Sequence, residues 1–311
     1  MFLRIGKNHV RLIILALVVG LCAWQAFSFF TGERSRALYE NEKGISEQAQ
    51  QLIGLHSEMG ATQSGDWLES HHESGQTFQN YLSNSHLSLT EERNVLYVVP
   101  LGDFNELQKE IVDLSAEFLG LYFMCEVTVM DPLGLDTIPR NACRVHPKWG
   151  VRQIHSKYVL DELLPPLVPE DAFATIAFSS SDLYPADDWN FVYGQASLSG
   201  RVGVWSLFRN GDPRTEFKTV LTRTLKTATH ETGHMFTIKH CIAYSCNMCG
   251  SNNMSESDRR PLFMCPECLP KVLLATDCDA VERFKLLKAF CERNQLDETA
   301  EYYANCLNIL D

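Results

Sequence analysis

Apolar and polar positions divide this chain into unlike segments. Leu12 to Phe30 is apolar except for Gln25 and Ser28. About 19 such residues rise roughly 28 Å as a helix, close to the ~30 Å hydrocarbon core of a bilayer. Arg4, Lys7 and Arg11 precede the span with no acid among them, which predicts a cytoplasmic segment at 1–11, a single-pass anchor at 12–30 and an extracytoplasmic remainder. The rival, a cleaved signal peptide, calls for an Ala-x-Ala-like site that the sequence does not offer cleanly. From 31 to 92 the chain is rich in Ser, Gln, Glu and Asn, with a helical stretch at Glu47–Leu55 and no dense apolar run. It reads as a polar spacer, and its His71-His72 pair as solvated histidines.

The pattern changes near residue 93. Val95–Val99, Phe123–Met130 and Ala172–Phe178 are apolar runs of strand length, and Phe191–Ala196 and Val202–Phe208 predict two more strands joined at Ser199-Gly200. Between them Phe104–Leu119 carries apolar residues at helical spacing, and Tyr158–Leu164 predicts a short helix. Asp212-Pro213 supplies an N-cap followed by proline at the first helical position, opening an amphipathic helix to about Ile238. Strands interspersed with helices predict an α+β domain, a mixed sheet with flanking helices, over 93–274. Val281–Leu287 and Glu298–Leu310 predict two helices in a C-terminal extension, 275–311, packed on that domain.

Composition narrows the function classes. The chain has 45% hydrophobic and 21% charged residues, an ordinary globular balance, and a formal net charge of −12. Without a local basic patch that charge opposes nucleic-acid binding. Eleven cysteines are present; five of them fall between Cys241 and Cys268, which points to a local metal site rather than a disulfide framework.

The chemistry is concentrated at His230-Glu231-Thr232-Gly233-His234. On a helix, His230 and His234 are four apart and project from one face, so both can bind one ion. Glu231 is rotated off that line and can take a proton from metal-bound water, whose pKa zinc lowers to about 7. This pattern arises by chance in about 2% of chains of this composition; a further histidine at His240 cuts that to roughly 0.1%. Three imidazoles leave a fourth tetrahedral position, the layout of a catalytic zinc. Beyond them, spacing favours Cys246-x-x-Cys249 with Cys265-x-x-Cys268 as a second, closed zinc site; Cys241, Cys246, Cys265 and Cys268 are the alternative quartet.

The extended motif His230-Glu-x-x-His-x₅-His240-Cys241-x₄-Cys246-x-Met248 with Cys265-x-x-Cys268 resembles the archaemetzincin signature of the metzincin metallopeptidases. Gly250-Ser-Asn-Asn, Asp258-Arg-Arg-Pro-Leu262 and the stretch from Asp188-Trp-Asn-Phe-Val-Tyr-Gly194 into Ser197–Gly203 carry the resemblance further, over roughly Val95 to Leu274. The resemblance implies a metzincin-like sheet and active-site helix, with His230, His234 and His240 on a catalytic zinc and Glu231 as general base. It also implies Met248 as the methionine beneath the metal, and Cys241, Cys246, Cys265 and Cys268 on a structural zinc in a small Cys₄ subdomain. Where that family has glycine at the end of the active-site helix, this sequence has Thr237. A side chain with a Cβ at positive φ costs roughly 1–2 kcal/mol, so the helix is expected either to end differently or to carry His240 under strain.

Two function classes follow. The first is a membrane-anchored zinc metallopeptidase with two zinc ions, acting on peptide or protein substrates, with aminopeptidase-like cleavage as one form of that activity. The second is a membrane-anchored zinc-binding protein that recognises peptides with little or no turnover; an intact Glu231 argues against it. Oligomeric state is not legible in the sequence.

Overall fold

A computed structural model describes residues 40–197 and 200–310. The chain divides into two compact units, Met1–Glu47 and Gln48–Asp311. In the first, the described residues are helical and begin helix α1 (40–51). The cytoplasmic segment and anchor expected at 1–30, and the Ser199 of the expected turn, lie outside the described residues. Among those that are described, no helix is long and apolar enough to cross a membrane.

The second unit opens with two short helices, α2 (Trp67–Ser70) and α3 (Phe78–Leu82), and then enters a layered α+β body. Strand β1 (Val95–Leu101) leads to helix α4 (Glu106–Phe123), whose N-terminus is closed by a reciprocal pair of hydrogen bonds between Asn105 and Gln108. Next come β2 (Glu126–Val129), β3 (Cys143–Val145), β4 (Arg152–His155), a helical turn α5 (Ser156–Tyr158), and strands β5 (Ala172–Ser179), β6 (Asp182–Tyr184), β7 (Gly194–Ser197) and β8 (Val202–Ser206). The main sheet has the order β2-β1-β5-β8-β7, parallel except for β7, which runs antiparallel along β8. A second sheet has the order β3-β4-β6.

Strand alternation sorts the side chains of the main sheet into two cores. Val99, Leu101, Ala177, Val202 and Val204 join Ile154 and Leu183 of the small sheet in one cluster. Phe178 and Trp205 meet edge-to-face on the opposite side, where helix α6 (Pro213–Met235) brings its Met235 against Gly203. Asp212 caps α6 by accepting from Arg214 N–H, with proline at its first position. The helix α7 (Met254–Asp258) follows, then α8 (Leu269–Thr276), α9 (Ala280–Arg293) and α10 (Asp297–Leu310). The C-terminal pair packs on the domain as expected: Phe290 meets Phe118 of α4, and Arg283 Nε donates to Tyr122 O at 2.7 Å.

Several sequence expectations shift. The helix expected over Phe104–Leu119 continues through Phe123, which delays the next strand to Glu126. The strand expected at Phe191–Ala196 begins only at Gly194. The strands β3, β4 and β6 were not legible because runs of three or four residues show no period. The expected spacer, 31–92, is no spacer from residue 48 onward. Met59 N–H bonds Ala243 O, Leu89 N–H bonds Ala275 O, and Tyr81 OH, buried, donates to Phe236 O at 2.8 Å. Few apolar anchors (Leu52, Phe78, Tyr81) and many polar contacts dock this arm, so it carries no hydrophobic run of its own.

Candidate metal centres

The last two turns of α6 carry His230, Glu231 and His234, and the chain then reverses to deliver His240. One ring nitrogen from each of His230, His234 and His240 lies within 4.8 Å of the other two. Each ring is held from behind. His230 Nδ1 donates to Asn247 O at 2.8 Å, and His234 Nδ1 to Ile238 O at 2.6 Å. His240 Nδ1 meets Glu73 Oε1 at 2.7 Å.

These anchors fix the chemistry of the opposite nitrogens. A carbonyl oxygen accepts and cannot donate, so Nδ1 of His230 and of His234 carries the proton. Burial lowers the pKa of both rings from 6.5 to about 4, with neighbouring histidines adding to the effect, so both are neutral at pH 7. Their Nε2 atoms face each other at 3.1 Å, two bare lone pairs with no hydrogen between them. Such a pair is stabilised by a cation, and the fixed outer partners are the usual support of metal-binding imidazoles. The donor set therefore fits zinc.

Helix reversal occurs with Thr237 at φ 62°. Thr237 N–H bonds His234 O at 2.8 Å and Ile238 N–H bonds Gly233 O at 3.2 Å, the paired closure that usually employs glycine. The chain thus keeps the left-handed geometry and accepts the Cβ, the strained alternative of the two expected. Gln76 Nε2 donates to Thr237 O at 3.2 Å and its Oε1 accepts from Lys239 N–H at 3.1 Å, pinning the reversal from both sides.

Glu231 is half-buried beside the histidines. Burial raises its pKa. It lines a cleft of about 720 Å³ together with His234, His240, Ala196 of the edge strand β7, and His72 and Glu73 of the arm. Beneath the helix, Met248 is fully buried, and a Cβ on Gly233 would stand 2.6 Å from its Sδ. Glycine at this position is what lets the methionine approach.

A second cluster lies alongside. The sulfurs of Cys241, Cys246, Cys265 and Cys268 are all within 4.8 Å of one another and all four residues are buried. Cys241 Sγ and Cys265 Sγ are 3.6 Å apart. A disulfide would require about 2.05 Å, whereas two sulfurs on one tetrahedral zinc stand roughly 3.8 Å apart, given bonds of ≈ 2.3 Å. Main-chain N–H groups of Met248 and Cys265 point at Cys246 Sγ, both at 3.4 Å. The neighbouring thiols hold Cys241 far below its ordinary pKa while burial raises Cys246; the four sulfurs stabilise one thiolate, and a cation would stabilise the rest. Spacing had favoured Cys249 over Cys241. Instead, the Cys249 thiol donates to Tyr244 O at 3.2 Å, outside the quartet, because the turn after Cys246 brings the chain back with Cys241 N–H on Met248 O.

All three histidines and the resemblance quartet are therefore brought together. Of the His71-His72 pair, His71 stacks on Trp67 at 3.6 Å and does not join the cluster. Sequence reasoning missed Glu73 and Gln76. Their only signal was a polar stretch, since their partners lie more than 160 residues away.

The description "Peptidase family M54" matches residues 94–273. Archaemetzincin-2 of Rattus norvegicus is 32% identical over 281 residues, covering 79% of this chain and 76% of the relative. The archaemetzincin of Archaeoglobus fulgidus is 32% identical over 177 residues, 57% of this chain and 98% of the relative. The crystal structure of archaemetzincin from Methanopyrus kandleri aligns with a TM-score of 0.49 and 30% identity, covering 60% of this chain and 98% of that one. With the family's span enclosing both clusters and the reversal between them, this chain belongs to peptidase family M54, the archaemetzincins, and is a zinc-dependent peptidase, a hydrolase.

Proposed function

We propose that the chain hydrolyses peptide bonds of peptide or protein substrates at the cleft between β7 and α6, with Glu231 as general base. His230, His234 and His240 would hold the catalytic zinc, and Cys241, Cys246, Cys265 and Cys268 a structural one. Met248 would support the histidines from below. The observation that carries this reading is the facing pair of Nε2 lone pairs, 3.1 Å apart, beside a carboxylate that opens on the cleft.

A zinc ion in this set supplies Lewis acidity, polarising the scissile carbonyl and lowering the pKa of water. Glu231 would accept the water's proton and return it to the leaving amine. The edge strand β7 offers unpaired main-chain groups to an extended peptide, an addition that holds substrate by its backbone. An aminopeptidase-like preference belongs to this proposal as its narrower form; a digest of free and N-blocked peptides tests it.

Anchoring through residues 12–30, with 1–11 cytoplasmic and the catalytic domain extracytoplasmic, is likewise proposed from the apolar span and its basic flank. A C-terminal topology reporter that is active in the cytoplasm would refute it. For the activity, peptide hydrolysis should vanish on chelation, return with zinc, and fall by about 10²–10⁴-fold in Glu231→Ala. A zinc-loaded protein that binds peptides without cleaving any would leave the recognition-only reading in its place.

A further inference from the structure

The three histidines are not held alike. Two rest on main-chain carbonyls near the active helix. The third, His240, rests on a carboxylate carried in from 167 residues away. Glu73 lies in the arm, outside the residues 94–273 that the family description matches.

That carboxylate is itself built into place. Trp67 Nε1 donates to Glu73 Oε1 at 2.9 Å, the same oxygen that faces His240. The Trp67 ring stacks on His71 and stands edge-on to His240, with centroids 5.3 Å apart. It presses on Gly250, where a Cβ would stand only 2.5 Å from the indole. Trp67 N–H is received by the buried carboxylate of Glu256 at 3.0 Å. Three residues past Glu73, Gln76 grips residues 237 and 239 of the reversal. The ring of His240 and the turn that delivers it are thus held by one stretch of the arm.

The charge balance is unusual as well. Glu73 Oε2 is buried without a hydrogen-bond partner, and among the described residues no Lys or Arg pairs with this side chain. An acceptor left unsatisfied at 23% side-chain exposure is costly unless a positive charge lies nearby. A cation held by the His cluster would lie across the His240 ring from this carboxylate.

We propose that Glu73 is a positioning residue for the zinc site: it takes the Nδ1–H of His240, turns Nε2 inward, and puts a carboxylate behind that ring where the other two histidines have a main-chain carbonyl. The arm is then part of the metal centre rather than a tether to it. This rests on reading the histidine cluster as the zinc site. If the full-length wild type binds no zinc there, that reading fails first.

The test is competitive zinc titration of full-length protein against a chromophoric chelator, with kcat and KM measured at saturating zinc. Glu73→Ala should weaken zinc at the His site about 10–100-fold, leave the Cys₄ zinc in place, and lower kcat with KM little changed. Glu73→Gln keeps an acceptor for His240 and Trp67 without the charge, so it should fall between wild type and Glu73→Ala. Equal zinc affinity in wild type and Glu73→Ala would overturn the proposal. So would loss of both zinc ions to the same extent in the two variants, which is the signature of a purely structural pin.

Discussion

The two metal clusters sit on either side of one short turn, yet they are built by opposite means. The Cys₄ cluster is closed: its residues are at most 5% exposed, and N–H groups of its own loop point at sulfur. The His cluster is half-buried, faces a cleft of about 720 Å³, and is braced by oxygen acceptors, one of them from a distant arm. A closed donor set stores folding energy in the metal, whereas an open one leaves a coordination position to substrate and water. On the proposed reading, the comparison teaches that stability and chemistry fall to different donor sets within a few residues of each other.

The sharpest way to separate the two is Glu231→Ala. It removes a proton acceptor and no ligand, so both ions and the fold should persist while kcat/KM falls by about 10²–10⁴-fold. Metal analysis and melting of the same sample check that the loss is chemical. Cys268→Ser acts on the other cluster, replacing a thiolate in a fully buried site. Stability should drop on the order of 4 kcal/mol or more, as for loss of a metal, and activity should follow the unfolded fraction rather than the chemistry. Denaturant melts with parallel assays distinguish these cases.

A smaller effect tests how the arm is docked. His56 is packed among Tyr244, Phe263 and Tyr302, and burial lowers its pKa from 6.5 to about 4. Between those values the unfolded chain binds a proton that the folded chain refuses, so stability falls as pH drops from about 6.5 toward 4. His56→Gln in zinc-loaded protein should flatten that fall; an unchanged pH profile would deny the buried neutral ring. Smallest of all is Thr237→Gly. Relief of a positive φ, at roughly 1–2 kcal/mol, is set against added unfolded-state entropy of about 0.4–1 kcal/mol. The variant should gain a few tenths to about 1 kcal/mol in denaturant melts, with zinc affinity no weaker than wild type.

How much of this was legible follows the same division. His230, His234 and the long helix could be read because a 3.6-residue period places them on one face. Strands β1, β5 and β8 could be read because a buried parallel strand is a continuous apolar run. The choice of Cys241 over Cys249 was not fixed by spacing, since both fit within reach of Cys265-x-x-Cys268; the resemblance implied it and the return of the chain onto Met248 explains it. Glu73, Gln76 and Trp67 were illegible for a physical reason. Their energy lies in single polar contacts across more than 160 residues of chain, and such contacts leave no period and no composition shift. A segment that looks like a tether can hold a ligand.

Stepwise removal of zinc tests the division between the clusters most directly. Fresh full-length protein is titrated with chelators of rising affinity while zinc content, peptide hydrolysis and ellipticity are followed together. Two zinc ions per chain are expected, the first leaving to a mild chelator with all activity and no loss of fold, the second only as the fold loosens. Release of both ions in one step, or hydrolysis surviving the loss of the first, would contradict the account.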